Sequence, residues 1–120
     1  MASLNTFGAI LTHAVNLEAA LRDYYQQAGS AERAKAADKR RQTMERIRRE
    51  SVLEITLEPI EGLDEADYAL GLDDRSSAGQ QAVEATAARF YAAVAPKINV
   101  RQAQRALERA AKEHQDLAQA

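Results

Sequence analysis

The chain has no cysteine, which excludes a disulfide, a thiolate zinc site and an iron–sulfur cluster, and fits a reducing compartment. Proline and glycine are scarce, at two and five residues, too few for a turn-rich β protein. Aromatic residues make up only 5% of the chain, which argues against a large aromatic pocket. The net charge is −2, so no overall field attracts nucleic acid or an anionic membrane. No apolar run approaches the roughly 18 residues needed to cross a bilayer. Nor does the first stretch read as a basic region, an apolar run and a cleavage site. A cytoplasmic protein without a membrane partner is the expectation. No glycine-rich phosphate loop, Ser/His/Asp set or nucleophile motif is present. With two histidines and no cysteine, most enzyme classes have little to work with.

What is present is alanine and helical periodicity. Hydrophobic residues account for 46% of 120 residues, enough for one domain with a modest core. Abundant alanine favours thin, closely packed helices. The clearest signal is a stripe at Leu4, Phe7, Leu11, Ala14, Glu18, Leu21 and Tyr25, in steps of three and four. It predicts a first helix over about 3–28. Gly29 and Ser30 then read as a helix stop and the cap of a second helix, antiparallel to the first.

The second helix is expected over about 31–57, ended by Pro59. It carries eight Lys or Arg between Arg33 and Arg49, with apolar contact beginning at Met44 and Ile47. The β-branched run at 54–57 also admits a short strand. A crossover follows over 59–77, with a short helical turn near Asp64 to Leu70 and with Leu63, Tyr68, Leu70 and Leu72 packed inward. A third helix is expected over about 78–95, capped by Ser77 with Gln80. A fourth is expected over about 100–119, with Asn99 and Gln102 as its start signal. Its stripe of Val100, Ala103, Leu107, Ala110, His114 and Leu117 sets a histidine in the seam.

Glu18 in the first stripe is an acid where a core residue belongs, and the local pattern recurs. Glu18-Ala19, four residues and Tyr24-Tyr25 return as Glu84-Ala85, four residues and Phe90-Tyr91. Each Glu lies two turns from its Tyr, on the same helix face. Met44-Glu45-Arg46 likewise matches Leu107-Glu108-Arg109, which sets Glu50-Ser51 against Glu113-His114. Residues 1–120 therefore read as a single all-α domain, a four-helix bundle of two related hairpins joined by a long crossover.

A Glu on helices one and three, a Tyr two turns on and duplicated hairpins resemble the ferritin-like superfamily, in particular small rubrerythrin-like proteins. The resemblance implies two metal ions held by one Glu on each of two helices and a Glu-x-x-His on each of the others. It makes Glu18, Glu84 and His114 candidate ligands of a di-iron or di-manganese centre, with Glu50 offered by another register. No complete Glu-x-x-His occurs, because Ala111 precedes His114 by three and helix two has Arg48 and Ser51. A non-catalytic or metal-depleted bundle with a structural or interaction role is therefore expected, with no cofactor. The alternative is a di-metal protein handling iron or peroxide.

The two acids have other partners open to them. Burial of an unpaired carboxylate is costly, so each needs one. Tyr25 and Tyr91 from the opposite hairpins are candidates, as is Arg48, whose charge would replace that of a metal. His13 lies off the stripe and reads as exposed. A nucleic-acid reading would use Arg40, Arg41, Arg46 and Arg49, but the acids that follow favour a solvated face, so nucleic acid is not the expected partner. The expected partner is a second copy of the chain, as a homodimer or larger homo-oligomer, with Phe7, Val94 and Leu117 as candidate contacts.

Overall fold

The computed structural model describes residue 4 and residues 6–51 and 62–120. Among them lie four α-helices and no strand: α1 (Phe7–Gln27), α2 (Ala31–Ser51), α3 (Ser77–Val94) and α4 (Arg101–Ala118). No helix among the described residues is long and apolar enough to cross a membrane. The expected end of helix two over 52–57, with its strand alternative, lies outside the described residues.

Local chemistry sets the helix ends. α1 starts later than expected because Thr6 is extended and its hydroxyl accepts from Ala9 N at 3.0 Å, the geometry of an N-cap. Its C-terminus closes with two bonds running backwards. Gly29 N donates to Gln26 O at 3.2 Å and Ser30 N to Tyr25 O at 2.9 Å. That pattern requires a left-handed residue, and Gly29 has φ of 81°. Ser76, not Ser77, caps α3, its Oγ accepting from Gly79 N at 3.3 Å. Val100 precedes α4 with no side-chain cap, so the Asn99 and Gln102 signal is not used. A 3-10 turn at Ala95–Lys97, with proline at its start, joins the last two helices.

The helices pack as two hairpins, α1 with α2 and α3 with α4. Each hairpin is closely packed along its length, whereas close backbone approach between hairpins is confined mainly to α2 against α4. Side chains fill the rest. Ile10, Leu11, Leu21, Tyr25, Phe90, Tyr91, Met44, Ile47 and Leu107 are fully buried. On α2 the inner face is largely alanine, with Ala34 and Ala37 buried beside Met44 and Ile47. Phe7 and Val94, read from sequence as contacts for a second copy, are buried within this chain, and Leu117 is half-buried.

From Leu63 onward the crossover is tied down. Leu63 is buried and its carbonyl accepts from Leu4 N at 3.3 Å. A 3-10 turn at Glu65–Tyr68 begins at Asp64, whose side chain accepts from Ala66 N. Tyr68, Leu70 and Leu72 pack against the core, with the Tyr68 ring edge-on to Phe90. Further on, Asp74 O accepts from Tyr24 OH at 2.5 Å. The chain there passes so close to α3 that a Cβ on Gly79 would lie 2.1 Å from Asp74 O. Only glycine fits.

Candidate functional site

The four helices converge on a cluster of buried charge. Glu18 on α1, Glu84 on α3 and His114 on α4 are each 0% exposed, and Arg40 on α2 is 6% exposed. Glu18, Arg40 and Glu84 come from the middle of their helices, and His114 from near the C-terminal end of α4. Glu18 precedes the first turn about as far as Arg40 follows it, so an antiparallel hairpin brings them level. In the second hairpin Glu84 and His114 also meet across an antiparallel pair, with His114 set about one turn farther from the connection.

Every carboxylate oxygen of the two acids is engaged. Glu18 Oε1 accepts from Arg40 Nε at 3.0 Å. Glu18 Oε2 lies 2.7 Å from Tyr91 OH and 2.8 Å from His114 Nε2. Glu84 Oε1 accepts from Tyr25 OH at 2.5 Å, and Oε2 meets His114 Nδ1. The tyrosines thus cross, each hairpin supplying the phenol for the other's acid. His114 stacks on the Tyr91 ring, with centroids 5.5 Å apart and planes within 6°.

The protonation states follow from this geometry. Both ring nitrogens of His114 face carboxylates, which suits imidazolium, a donor at both positions. Burial alone would depress its pKa, but the hydrogen bonds and charges of Glu18 and Glu84 outweigh it and raise the pKa. Burial pushes Glu18 the other way, yet the bond and charge of His114, the Arg40 charge and the Tyr91 bond leave its pKa lowered. Tyr91 is driven well up by burial and by the Glu18 charge, so it keeps its proton and donates. Tyr25 rises for the same reasons beside Glu84. Two carboxylates, one guanidinium and one imidazolium sum to zero, which is how charge is tolerated in a dry core.

The structure therefore brings Glu18, Glu84, His114, Tyr25 and Tyr91 together, and leaves two sequence-derived candidates out. Glu50 is exposed near the end of α2. Arg48 is only half-buried and donates to Thr12 Oγ1 at 3.3 Å, away from both acids. The guanidinium that faces Glu18 is Arg40, two turns earlier on α2. Its second arm donates from Nη1 to Glu113 Oε1 at 3.3 Å, while Nη2 is buried and has no partner among the described residues. The available signal was the seam of α2 itself: Ala34, Ala37, Arg40, Met44 and Ile47 continue the three-and-four spacing back through alanines. His13 is half-buried rather than exposed. Its ring lies 4.6 Å from that of Phe90, and its pKa is lowered by burial against the weaker pull of Glu65.

The donor set does not fit a pair of metal ions. His114 has committed both nitrogens to carboxylates, and Arg40 holds a positive charge against Glu18 where a cation would sit. Among the described residues no group of three or more His, Cys, Asp or Glu could hold a metal ion. The basic run of α2 is likewise dispersed. Arg40 turns inward, Arg41 pairs with Asp38 and Glu45, and the Arg33 guanidinium lies over the Tyr25 ring at 5.7 Å. Comparison with protein-family models, curated proteins and solved structures gives no match.

Proposed function

We propose that this chain is a non-catalytic or metal-depleted ferritin-like bundle with a structural or interaction role. In this reading a salt-bridge cluster occupies the place where ferritin-like relatives hold metal. The carrying observation is the closure of the cluster: all four carboxylate oxygens of Glu18 and Glu84 have partners. A general acid or base needs a free face toward substrate, and neither acid has one. Arg40 and His114 supply the two positive charges that neutralise these acids, and they do so from α2 and α4, the helices that carry Glu-x-x-His in the di-metal pattern.

The role that follows is architectural. Backbone contact between the hairpins is sparse, so crossed tyrosines and a bridging imidazolium hold them at one relative position. A protein of this kind presents a fixed exterior to partners, a second copy of the chain among them. The test is metal content after loading with iron(II), manganese(II) or zinc and desalting, on folded protein. Negligible retention is expected. Retention of about two equivalents, the stoichiometry of a di-metal bundle, with loss in Glu18→Ala and Glu84→Ala, would overturn the reading.

A further inference from the structure

The one loose end of the cluster among the described residues is on Arg40. Arg40 has five N–H donors. Nε serves Glu18 and Nη1 serves Glu113, but Nη2 has no partner among the described residues although the side chain is 94% buried. The same residue forms part of the wall of a cavity of about 290 Å³ between α2 and α4. That is the space of about ten water molecules, enough for a ligand of several heavy atoms.

The lining of the cavity defines what would enter it. Lys39 on α2 and Arg109 on α4 are exposed and stand with Arg40 around it. Against these three cations the lining offers one carboxylate, that of Glu113, which is 48% exposed and reaches Arg40 at 3.3 Å. Neither Lys39 nor Arg109 forms an ion pair among the described residues. Apart from Thr43 the rest of the wall is apolar, with Met44, Ala106 and Ala110 part of it. Cations on the rim, a guanidinium in the wall and apolar surface between them match an anionic head on a short hydrocarbon body.

We infer that the cavity between α2 and α4 binds a small organic anion carrying a carboxylate or phosphate head. The head pairs with Arg40, Lys39 and Arg109, and the apolar body lies against Met44, Ala106 and Ala110. An occupant that binds the folded chain and not the unfolded one stabilises it through mass action.

The experiment is a titration of the isotope-labelled full chain, followed by amide chemical shifts, with butyrate and with inorganic phosphate. Sodium chloride at matched ionic strength is the control. Saturable shifts at the amides of Ala36, Thr43, Ala106 and Ala110 are expected with at least one probe. Saturation by butyrate alone assigns a carboxylate ligand, by phosphate alone a phosphate ligand, and by both a site that reads charge. In the double variant Lys39→Ala with Arg109→Ala, both surface positions, affinity should fall by about tenfold or more with the thermal midpoint little changed. Shifts no larger than those in sodium chloride, or equal affinity in the double variant, would overturn the inference.

Discussion

Tyr91 and His114 end on the same atom. Their rings lie nearly parallel, and the phenol and Nε2 both bond Glu18 Oε2, at 2.7 and 2.8 Å. The oxygen is thus held by two donors from the opposite hairpin, while the second oxygen is held by Arg40 from its own.

Removing one donor at a time separates their contributions. Tyr91→Phe should cost about 1–3 kcal/mol, the range for stripping a partner from a buried group. Tyr25→Phe should cost a similar amount by exposing Glu84 Oε1 to an empty space. Because His114 bridges the two acids, the double variant should depart from the sum of the singles by at least about 0.5 kcal/mol. Urea denaturation of the four proteins measures this, and strict additivity would mean that the two crossed bonds act separately.

Arg40 and Arg48 should behave very differently although they sit two turns apart on one helix. Arg40→Ala leaves Glu18 buried with one cationic partner fewer and should destabilise by about 3–5 kcal/mol. Arg48→Ala loses a half-exposed bond to Thr12 and should change stability by about 0.5 kcal/mol or less. Equal losses in the two variants, by thermal or urea denaturation, would contradict the placement of Arg40 against Glu18.

Stability should be greatest in mildly acidic solution. His114 has its pKa raised above 6.5 in the folded state, so its contribution is complete below that pH and is lost as pH rises through the folded value. Glu18 has its pKa lowered below 4.5, so its contribution is complete above that pH and is lost as pH falls through the folded value. The groups that face them are Arg40 on α2, Glu84 and Tyr91 on α3, and Tyr25 on α1. Urea midpoints measured across pH should therefore peak between about 4.5 and 6.5. The alkaline decline should be shallower in His114→Gln, which has no imidazole to titrate. A wild-type profile that stays flat above the peak would count against a buried imidazolium.

Gly79→Ala tests how the crossover meets α3. The added methyl would fall 2.1 Å from a backbone carbonyl that cannot rotate away, so Asp74 must move and the bond from Tyr24 OH with it. Helix propensity alone would make Ala better than Gly here by about 1 kcal/mol. A net loss of stability is expected instead, and a gain would show that the crossover yields freely.

Much of this was legible in the sequence because α1 and α3 carry strong contrast. A charged Glu within a row of Leu, Phe and Tyr stands out at helical spacing, and so does its Tyr two turns on. His114 stands out on α4 for the same reason. α2 hid its contribution, since its inner face is Ala34 and Ala37, residues that also suit a solvated surface. Among eight basic residues, only the seam extended backwards from Met44 singles out Arg40. The starts of α1 and α3 shifted because Thr6 and Ser76 make the cap bonds, to Ala9 N and Gly79 N, among neighbours of equal capping quality.

The crossed tyrosines also act as an indexing pin. One hairpin sliding past the other by a single helical turn would move its side chains by about 5.4 Å, beyond the reach of any bond in the cluster. Both phenols and one arm of the imidazole would lose their acceptors in the same step, and no intermediate offset satisfies a subset well. The bundle is therefore free of the gradual slippage that smooth alanine surfaces would otherwise permit. Its two halves meet at one setting.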